Sequence, residues 1–409
     1  MEKRTHFYGY KSVIFAIIVM IANYGVTAAL PVFMPSIAAE LSLEYTTVGM
    51  MLTVGSAVSF ILMFPCGWVI GKLGIKVSMV IGMILVCVPC YIFASAKDFT
   101  TLIIGSAVQG LCGAVAVNVC ISVLIRNWFL EKRGTLIGYA FCGSSIGSSF
   151  FLYLSGKLIE TYSWQTAYIA VGSICLVIGV VFALFIKNTP EEMGQKPLGT
   201  IVEDVQALKT GVTMGQALRS AKFWALFLIV VVFNIFIMVL PTYAASLWTE
   251  AGMSIEMAGL LLTISTIACA VSTFFSGNIA DRLGNKIYVS YLHVAYLISA
   301  VFAFLSVGTL NWVYIVGSLL ALVIGIPLYT SMIPTISFEL FGTKDYEKIS
   351  GFLQAGINIG LMLMSPVCGM LAAFKGGFKV VYAAGFGVCL ISLVIILLCL
   401  KTTPKAENQ

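Results

Sequence analysis

The chain has 409 residues, of which 60% are hydrophobic and only 10% charged, with a formal net charge of +6. An ordinary soluble domain carries about 25% charged residues, so a water-exposed surface of normal charge density is excluded. The positive surplus needs no nucleic acid or acidic partner, because its placement along the chain accounts for it as a topology signal.

Apolar blocks recur along the whole chain, each near the ~20 residues that cross a ~30 Å hydrocarbon core at about 1.5 Å per residue. Spans are expected at 11–35, 46–70, 77–96, 101–125, 134–157, 164–186, 222–248, 256–279, 287–307, 311–337, 349–374 and 378–400. The weak alternation of a membrane β-barrel is absent, so the expected fold class is an all-α membrane protein with twelve transmembrane helices. Lys3, Arg4 and Lys11 precede a first block too long for the apolar core of a signal peptide, which reads as a retained helix. Span 1 presents Asn23, Tyr24 and Thr27 on one face. Span 3 contains Cys87 and Cys90 around Pro89, with no His or carboxylate near in sequence, so these thiols read as small packing groups and no metal is expected. Span 4 offers Gln109, Asn118 and Arg126, the last two about 12 Å apart along one face. In span 5, Gly134, Gly138, Gly143 and Gly147 leave one face without side chains, which lets helix backbones approach where lipid supplies no force to press them together.

One long polar segment, Lys187–Lys222, follows span 6 and divides the chain into residues 1–187, a cytoplasmic loop 188–221, and residues 222–409. Beyond it, span 7 carries Asn234 and Tyr243, span 9 His293, span 10 Tyr329, and span 11 Gln354 and Asn358, with Gly356 and Gly360 as a second packing face. Of the 23 Lys and Arg, all but Lys97, Lys157, Lys375 and Lys379 fall on the side of the N-terminus. That bias places both termini in the cytoplasm and makes the span count even. The short loops point to a cell (plasma or inner) membrane of bacterial type.

The halves repeat. Gly49-Met-Met-Leu52-Thr53 matches Gly259-Leu-Leu-Leu262-Thr263, 210 positions later, and the same offset carries Phe64 onto Phe274, Gly67 onto Gly277, Leu73-Gly74 onto Leu283-Gly284 and Lys76 onto Lys286. Duplication of this kind points to two pseudo-symmetric six-helix bundles with a solute site at mid-membrane depth. The run Gly277-Asn-Ile-Ala-Asp281-Arg282-Leu283-Gly284-Asn-Lys286 resembles the loop signature of the major facilitator superfamily. The resemblance implies that Asp281 and Arg282, framed by Gly277 and Gly284, gate the cytoplasmic side, with the helix that starts at Arg133 and Gly134 as partner. The first-half copy has Gly71 in place of the aspartate. Trp128-Phe129-Leu-Glu-Lys132-Arg133-Gly134, Pro190-Glu191-Glu192-Met193-Gly194 and Ala217-Leu218-Arg219-Ser-Ala-Lys-Phe223-Trp224 are similar to the monocarboxylate porter and oxalate:formate antiporter branch.

That branch implies alternating-access transport of a small carboxylate. Monocarboxylate porters typically hold an Asp and an Arg in span 8 and a Lys in span 1. Here those positions are Cys269, Thr273 and about Ala28, and span 11 lacks the basic residue of the oxalate exchangers. All 17 Asp and Glu fall outside the span interiors. The candidate solute contacts are therefore uncharged apart from Arg126 at the end of span 4: Asn23, Tyr24, Thr27, Gln109, Asn118, Asn234, Tyr243, Tyr329, Gln354 and Asn358. Each of the amides has an alternative role in bonding a neighbouring helix. His293 is the only titratable nitrogen well inside a span and a candidate for proton coupling, although span 9 is usually peripheral in this superfamily. Exchange or facilitated passage fits this set better than proton symport. The alternatives are an exporter of hydrophobic or aromatic compounds and a transporter-like ligand sensor. The sequence offers no buried acid–base pair, nucleophile–base pair or phosphate-cradling loop followed by Lys-Ser/Thr, so the chain is not expected to be an enzyme. Separately, no cofactor is expected, and the expected working unit is a monomer in a lipid bilayer.

Overall fold

The computed structural model describes residues 7–129, 133–198, 211–283, 285–327, 340–342 and 344–399. Among them every ordered segment of length is an α-helix. The first span is two helices, α1 (Tyr8–Thr27) and α2 (Leu30–Leu41). Then follow α3 (Tyr45–Leu73), α4 (Ile75–Ala94), α5 (Phe99–Trp128), α6 (Arg133–Thr161) and α7 (Trp164–Phe185). A 3-10 turn at Pro190–Met193 and the short α8 (Met214–Leu218) stand in the central segment. Span 7 is again split, into α9 (Ala221–Ile237) and α10 (Val239–Glu250). The series ends with α11 (Ile255–Leu283), α12 (Asn285–Ser306), α13 (Trp312–Gly325), α14 (Tyr346–Ala372) and α15 (Phe378–Cys399). Nine of the described helical stretches are long and apolar enough to cross a membrane. Each of the twelve expected spans contains a described helix, so the all-α, twelve-span reading holds.

The repeat is built into these boundaries. Helices α3 and α11 are both 29 residues long, and their limits coincide at the 210-residue offset. At the end of α3, Gly74 takes φ +78, a left-handed conformation that a Cβ disfavours, and α4 starts at the next residue. Helices α7 and α15 are both 22 residues long.

Glycines set close helix contacts at Gly143 and Gly147 of one expected small-residue face and at Gly356 and Gly360 of the other; the surroundings of Gly134 and Gly138 lie outside the described residues. In the first bundle a Cβ at Gly143 would lie 2.5 Å from the Ile17 carbonyl oxygen, and one at Gly147 would collide with that of Ile21. In the second, a Cβ at Gly360 would lie 2.7 Å from the Val231 carbonyl oxygen and one at Gly356 would meet the Val230 side chain at 3.1 Å. Helix α6 thus lies on α1, and α14 on α9, by the same device.

Two compact units result. One comprises Met1–Glu44, Val54–Gln206 and Ile255–Thr263; the other comprises Tyr45–Thr53, Ala207–Ser254 and Ile264–Gln409. Within the first, the central segment is fastened to the bundle. Trp128 Nε1 donates to the Lys187 carbonyl (3.0 Å), Asn127 Nδ2 to that of Asn188 (3.1 Å), and Asn188 Oδ1 accepts from the Lys76 N–H (2.8 Å). Phe7, Tyr8, Trp128 and Phe129 pack around this joint. Within the second, Phe223, Trp224, Phe227, Phe341 and Phe352 form a comparable aromatic cluster. Met214 N–H donates to Asp345 Oδ2 (2.8 Å) beside it.

Candidate solute site

Both split helices break at the same point relative to a proline. A proline has no N–H and its ring crowds the carbonyl four residues earlier. Four residues before Pro31 stands Thr27, the last residue of α1; four before Pro241 stands Ile237, the last residue of α9. Pro89 and Pro366 lie inside continuous helices, so proline permits the break and the surrounding packing completes it. The Leu-Pro pairs at 30–31 and 240–241 share the 210-residue offset, a signal in the sequence that marks both breaks.

About one turn before each break lies a buried asparagine. Asn23 is fully buried, and neither its Nδ2 nor its Oδ1 has a hydrogen-bond partner. The adjacent backbone does not lack partners: the Asn23 carbonyl accepts from Thr27 Oγ1 (3.1 Å), and the Tyr24 carbonyl accepts from the Ala28 N–H. Asn234 is also buried, but its Nδ2 donates to the Val230 carbonyl at 2.8 Å, leaving only Oδ1 without a partner. An unpaired buried polar group costs about 1–3 kcal/mol. Asn23 therefore keeps a donor and an acceptor group uncommitted beside a helix break, at a standing cost in stability.

The other expected contacts divide. Tyr24 and Thr27 are half-buried beside Asn23, on the same helix turn. Gln109 in α5 and Asn358 in α14 are half-buried. Tyr243 is fully buried: its hydroxyl donates to Ser365 Oγ at 2.9 Å and its ring packs on Phe378, with centroids 5.1 Å apart. Its polar atom is thus already engaged by protein. Tyr329, and the side chains of Asn118, Arg126 and Gln354, lie outside the described residues, as do the side chains of Arg133, Asp281 and Arg282 and the surroundings of Gly277 and Gly284. His293 is fully buried in α12. One ring nitrogen lies 2.8 Å from the Val289 carbonyl and the other 3.1 Å from Ser392 Oγ. A neutral imidazole that donates at Nδ1 and accepts at Nε2 satisfies both contacts. Phe233 packs against its ring. Among the described residues, no group of three or more His, Cys, Asp or Glu could hold a metal ion. Cys87 and Cys90 are buried and free of disulfides.

Sequence reasoning missed Phe151, whose ring fills the space that Gly25 leaves beside the α1 break, and Ser365, the partner of Tyr243. Neither carries a charge or a motif that sets it apart from the residues around it.

A family model described as Major Facilitator Superfamily matches residues 15–247 and 238–409. A hexuronate transporter of Bacillus subtilis (strain 168) is 23% identical over 277 residues, which is 67% of this chain and 65% of that relative. The fujikurins efflux protein of Gibberella fujikuroi is 24% identical over 71% of this chain and 60% of its own length. Among solved structures, the nucleoside transporter NupG superposes with a TM-score of 0.73 at 12% identity, over 95% of this chain and 100% of that one. At that identity the likeness speaks to the fold.

Proposed function

Because the chain belongs to the Major Facilitator Superfamily, whose relatives here carry small solutes across membranes, we propose that its own solute is a small organic acid moved by exchange or facilitated passage. The observation that carries this reading is Asn23, a buried carboxamide with no protein partner beside a broken helix. Discontinuous helices at mid-membrane depth are where secondary transporters bind solutes. A carboxamide offers two donors and an acceptor, which suits a carboxylate flanked by hydroxyls. The hexuronate transporter among the relatives is named for such a solute. Hydrogen bonds to a charged group contribute about 1.5–3 kcal/mol net, enough to orient an anion without a buried cation. The lack of a carboxylate in the span interiors and the engagement of both His293 nitrogens support transport without proton symport.

The placement of Lys and Arg supports a cell membrane with both termini, and the segment 188–221 between the bundles, in the cytoplasm. A monomer suffices for this cycle. On the sequence pattern, Asp281 and Arg282 gate the same side.

A second reading, export of hydrophobic or aromatic compounds, is favoured by the same scarcity of charge and by the efflux protein among the relatives. Counterflow in liposomes separates the two. Purified protein is loaded in turn with hexuronates, oxalate, formate, lactate, neutral sugars and aromatic acids, and trace label is added outside with and without a pH gradient. Saturable exchange of one carboxylate, indifferent to the gradient, is the expected result. Competition by bulky aromatics alone would replace it with the export reading.

A further inference from the structure

Helix α12 has no part in the solute site, yet its buried side chains bond to three neighbouring helices. One His293 ring nitrogen meets Ser392 Oγ of α15 (3.1 Å), Tyr296 Oη donates to the Phe236 carbonyl of α9 (2.8 Å), and Ser299 Oγ donates to the Ser318 carbonyl of α13 (2.8 Å). The middle bond lands one residue before α9 stops. Pro241 has no N–H to continue that helix, and a carbonyl freed in hydrocarbon must find another donor. The Phe236 carbonyl accepts from the Met238 N–H at the cap and from the Tyr296 hydroxyl. Both bonded residues are tightly seated. A Cβ on Gly385 of α15 would lie 3.2 Å from Phe236 Cβ, and one on Gly325 of α13 would lie 3.1 Å from the Tyr296 backbone nitrogen. Phe233 packs between His293 and Tyr296, its ring centroid 5.6 and 5.4 Å from theirs.

The first half has no counterpart to this brace. The 210-residue offset carries α4 onto α12 and Val26, in the last turn of α1, onto Phe236. At the positions of His293, Tyr296 and Ser299, α4 has Met83, Val86 and Pro89. None of these side chains can donate a hydrogen bond. Among the described residues, the side-chain hydrogen bond at the α1 break is local, from Thr27 Oγ1 to the Asn23 carbonyl. Helix α2 is tied down only at its far end, where Glu40 accepts from Trp164 Nε1 (2.6 Å) and Gln165 Nε2 (2.7 Å) of α7. One break is therefore clamped at its own backbone by another helix, and the other is held by packing alone.

We infer that Tyr296 is a positioning residue for transport: its hydroxyl fixes the bend between α9 and α10, and the unclamped bend between α1 and α2 is the one that adjusts to a solute at Asn23. The inference rests on the solute reading of Asn23 but on no particular solute. Tyr296 acts through the α9 backbone and touches no solute. A loosened α9–α10 bend spreads the second bundle over several angles, of which one is productive. Turnover then falls, while the contacts of Asn23 in the first bundle are unchanged.

The test begins without a solute. Amide hydrogen exchange is followed by mass spectrometry on the full chain in nanodiscs, over residues 28–32 and 238–242, with rates corrected for intrinsic exchange. In the unsubstituted protein, 28–32 is expected to exchange faster than 238–242. Tyr296→Phe keeps the ring and removes only the hydroxyl. It is expected to speed exchange at 238–242 about threefold to tenfold, the worth of one buried hydrogen bond, and to leave 28–32 unchanged. Ser299→Ala removes a bond of the same kind from the same helix, but to α13, and should move neither segment. In counterflow with labelled hexuronate, Tyr296→Phe should lower the maximal exchange rate about threefold or more with KM unaltered, whereas Ser299→Ala should leave both as they were. Unchanged exchange at 238–242 in Tyr296→Phe, an equal effect of Ser299→Ala, or a raised KM at full maximal rate would overturn the proposal. If no solute supports counterflow, the solute reading fails, and the amide rates still decide whether Tyr296 holds the bend.

Discussion

Helices α1 and α9 stop four residues before a proline and each carries a buried asparagine about a turn upstream, yet the two amides are finished differently. Asn234 folds back on its own helix to the Val230 carbonyl. Asn23 has no such bond from either side-chain atom. The α14 face adds to the contrast: a Cβ on Gly360 would lie 2.6 Å from Asn234 Cβ, so this side chain is pinned by its neighbour. Near Asn23 the corresponding glycine, Gly147, abuts the Ile21 backbone. Duplication thus supplied two equivalent positions, one of them now bonded within its own bundle and the other left to be satisfied from elsewhere. The Gly49 and Gly259 repeat diverges in the same way: Thr263 Oγ1 donates to the Ser149 carbonyl, whereas the corresponding hydroxyl, Thr53 Oγ1, has no partner.

The largest expected effect tests the scaffold common to both halves. Gly147→Leu would drive a side chain into the Ile21 carbonyl, and overpacking of this kind costs about 1–3 kcal/mol or more. Folded yield and exchange are both expected to collapse, whereas Gly387→Ala, with nothing within 4 Å, should leave both intact; size-exclusion profiles and counterflow check this. Next in size is Trp128→Ala, which removes a fully buried ring and the bond to Lys187 that fastens the central segment. A loss of about 3–5 kcal/mol is expected, seen as a lowered Tm. The pair sharpens the comparison if Trp224→Ala, half-exposed and bonded to Leu218 within its own segment, costs clearly less. A smaller effect is expected from His293→Ala: reduced stability from the emptied site, with the pH profile of exchange unaltered. A profile that moved would return His293 to proton coupling. Smallest is Asp98→Ala, which removes the cap on Thr101 at the start of α5. The side-chain and backbone bonds from Thr101 hold the Asp98 carboxyl below the usual carboxylate range. Its capping is therefore present at neutral pH and weakens as pH falls through that lowered value, and a thermal melt at neutral pH should show a slight drop that vanishes in acid.

Much of the fold was legible because membrane physics writes it in long blocks. Apolar runs marked all twelve spans, and the glycines of α6 and α14 announced close packing before their partners in α1 and α9 were visible. The breaks were only partly legible: proline alone does not mark them, because Pro89 and Pro366 sit in similar apolar runs without a break, and only the shared 210-residue offset of the two Leu-Pro pairs sets Pro31 and Pro241 apart. The repeat at Gly49 and Gly259 was readable as duplication, but the bond made by Thr263 and missing at Thr53 was not. At the site, polarity within a span singled out Asn23, Asn234 and Tyr243 alike. Only packing distinguishes an amide without a partner from one bonded to Val230 and from a hydroxyl held by Ser365.

The central claim, that Asn23 is left uncommitted for the solute, is tested most directly by Asn23→Leu against Asn234→Leu, a near-isosteric pair, in counterflow and thermal melts. The account predicts that Asn23→Leu raises Tm, since an unpaired buried amide costing about 1–3 kcal/mol is removed, while exchange falls about tenfold or more; Asn234→Leu should change exchange far less. Unaltered exchange in the Asn23→Leu protein, or an equal loss from both substitutions, would contradict it.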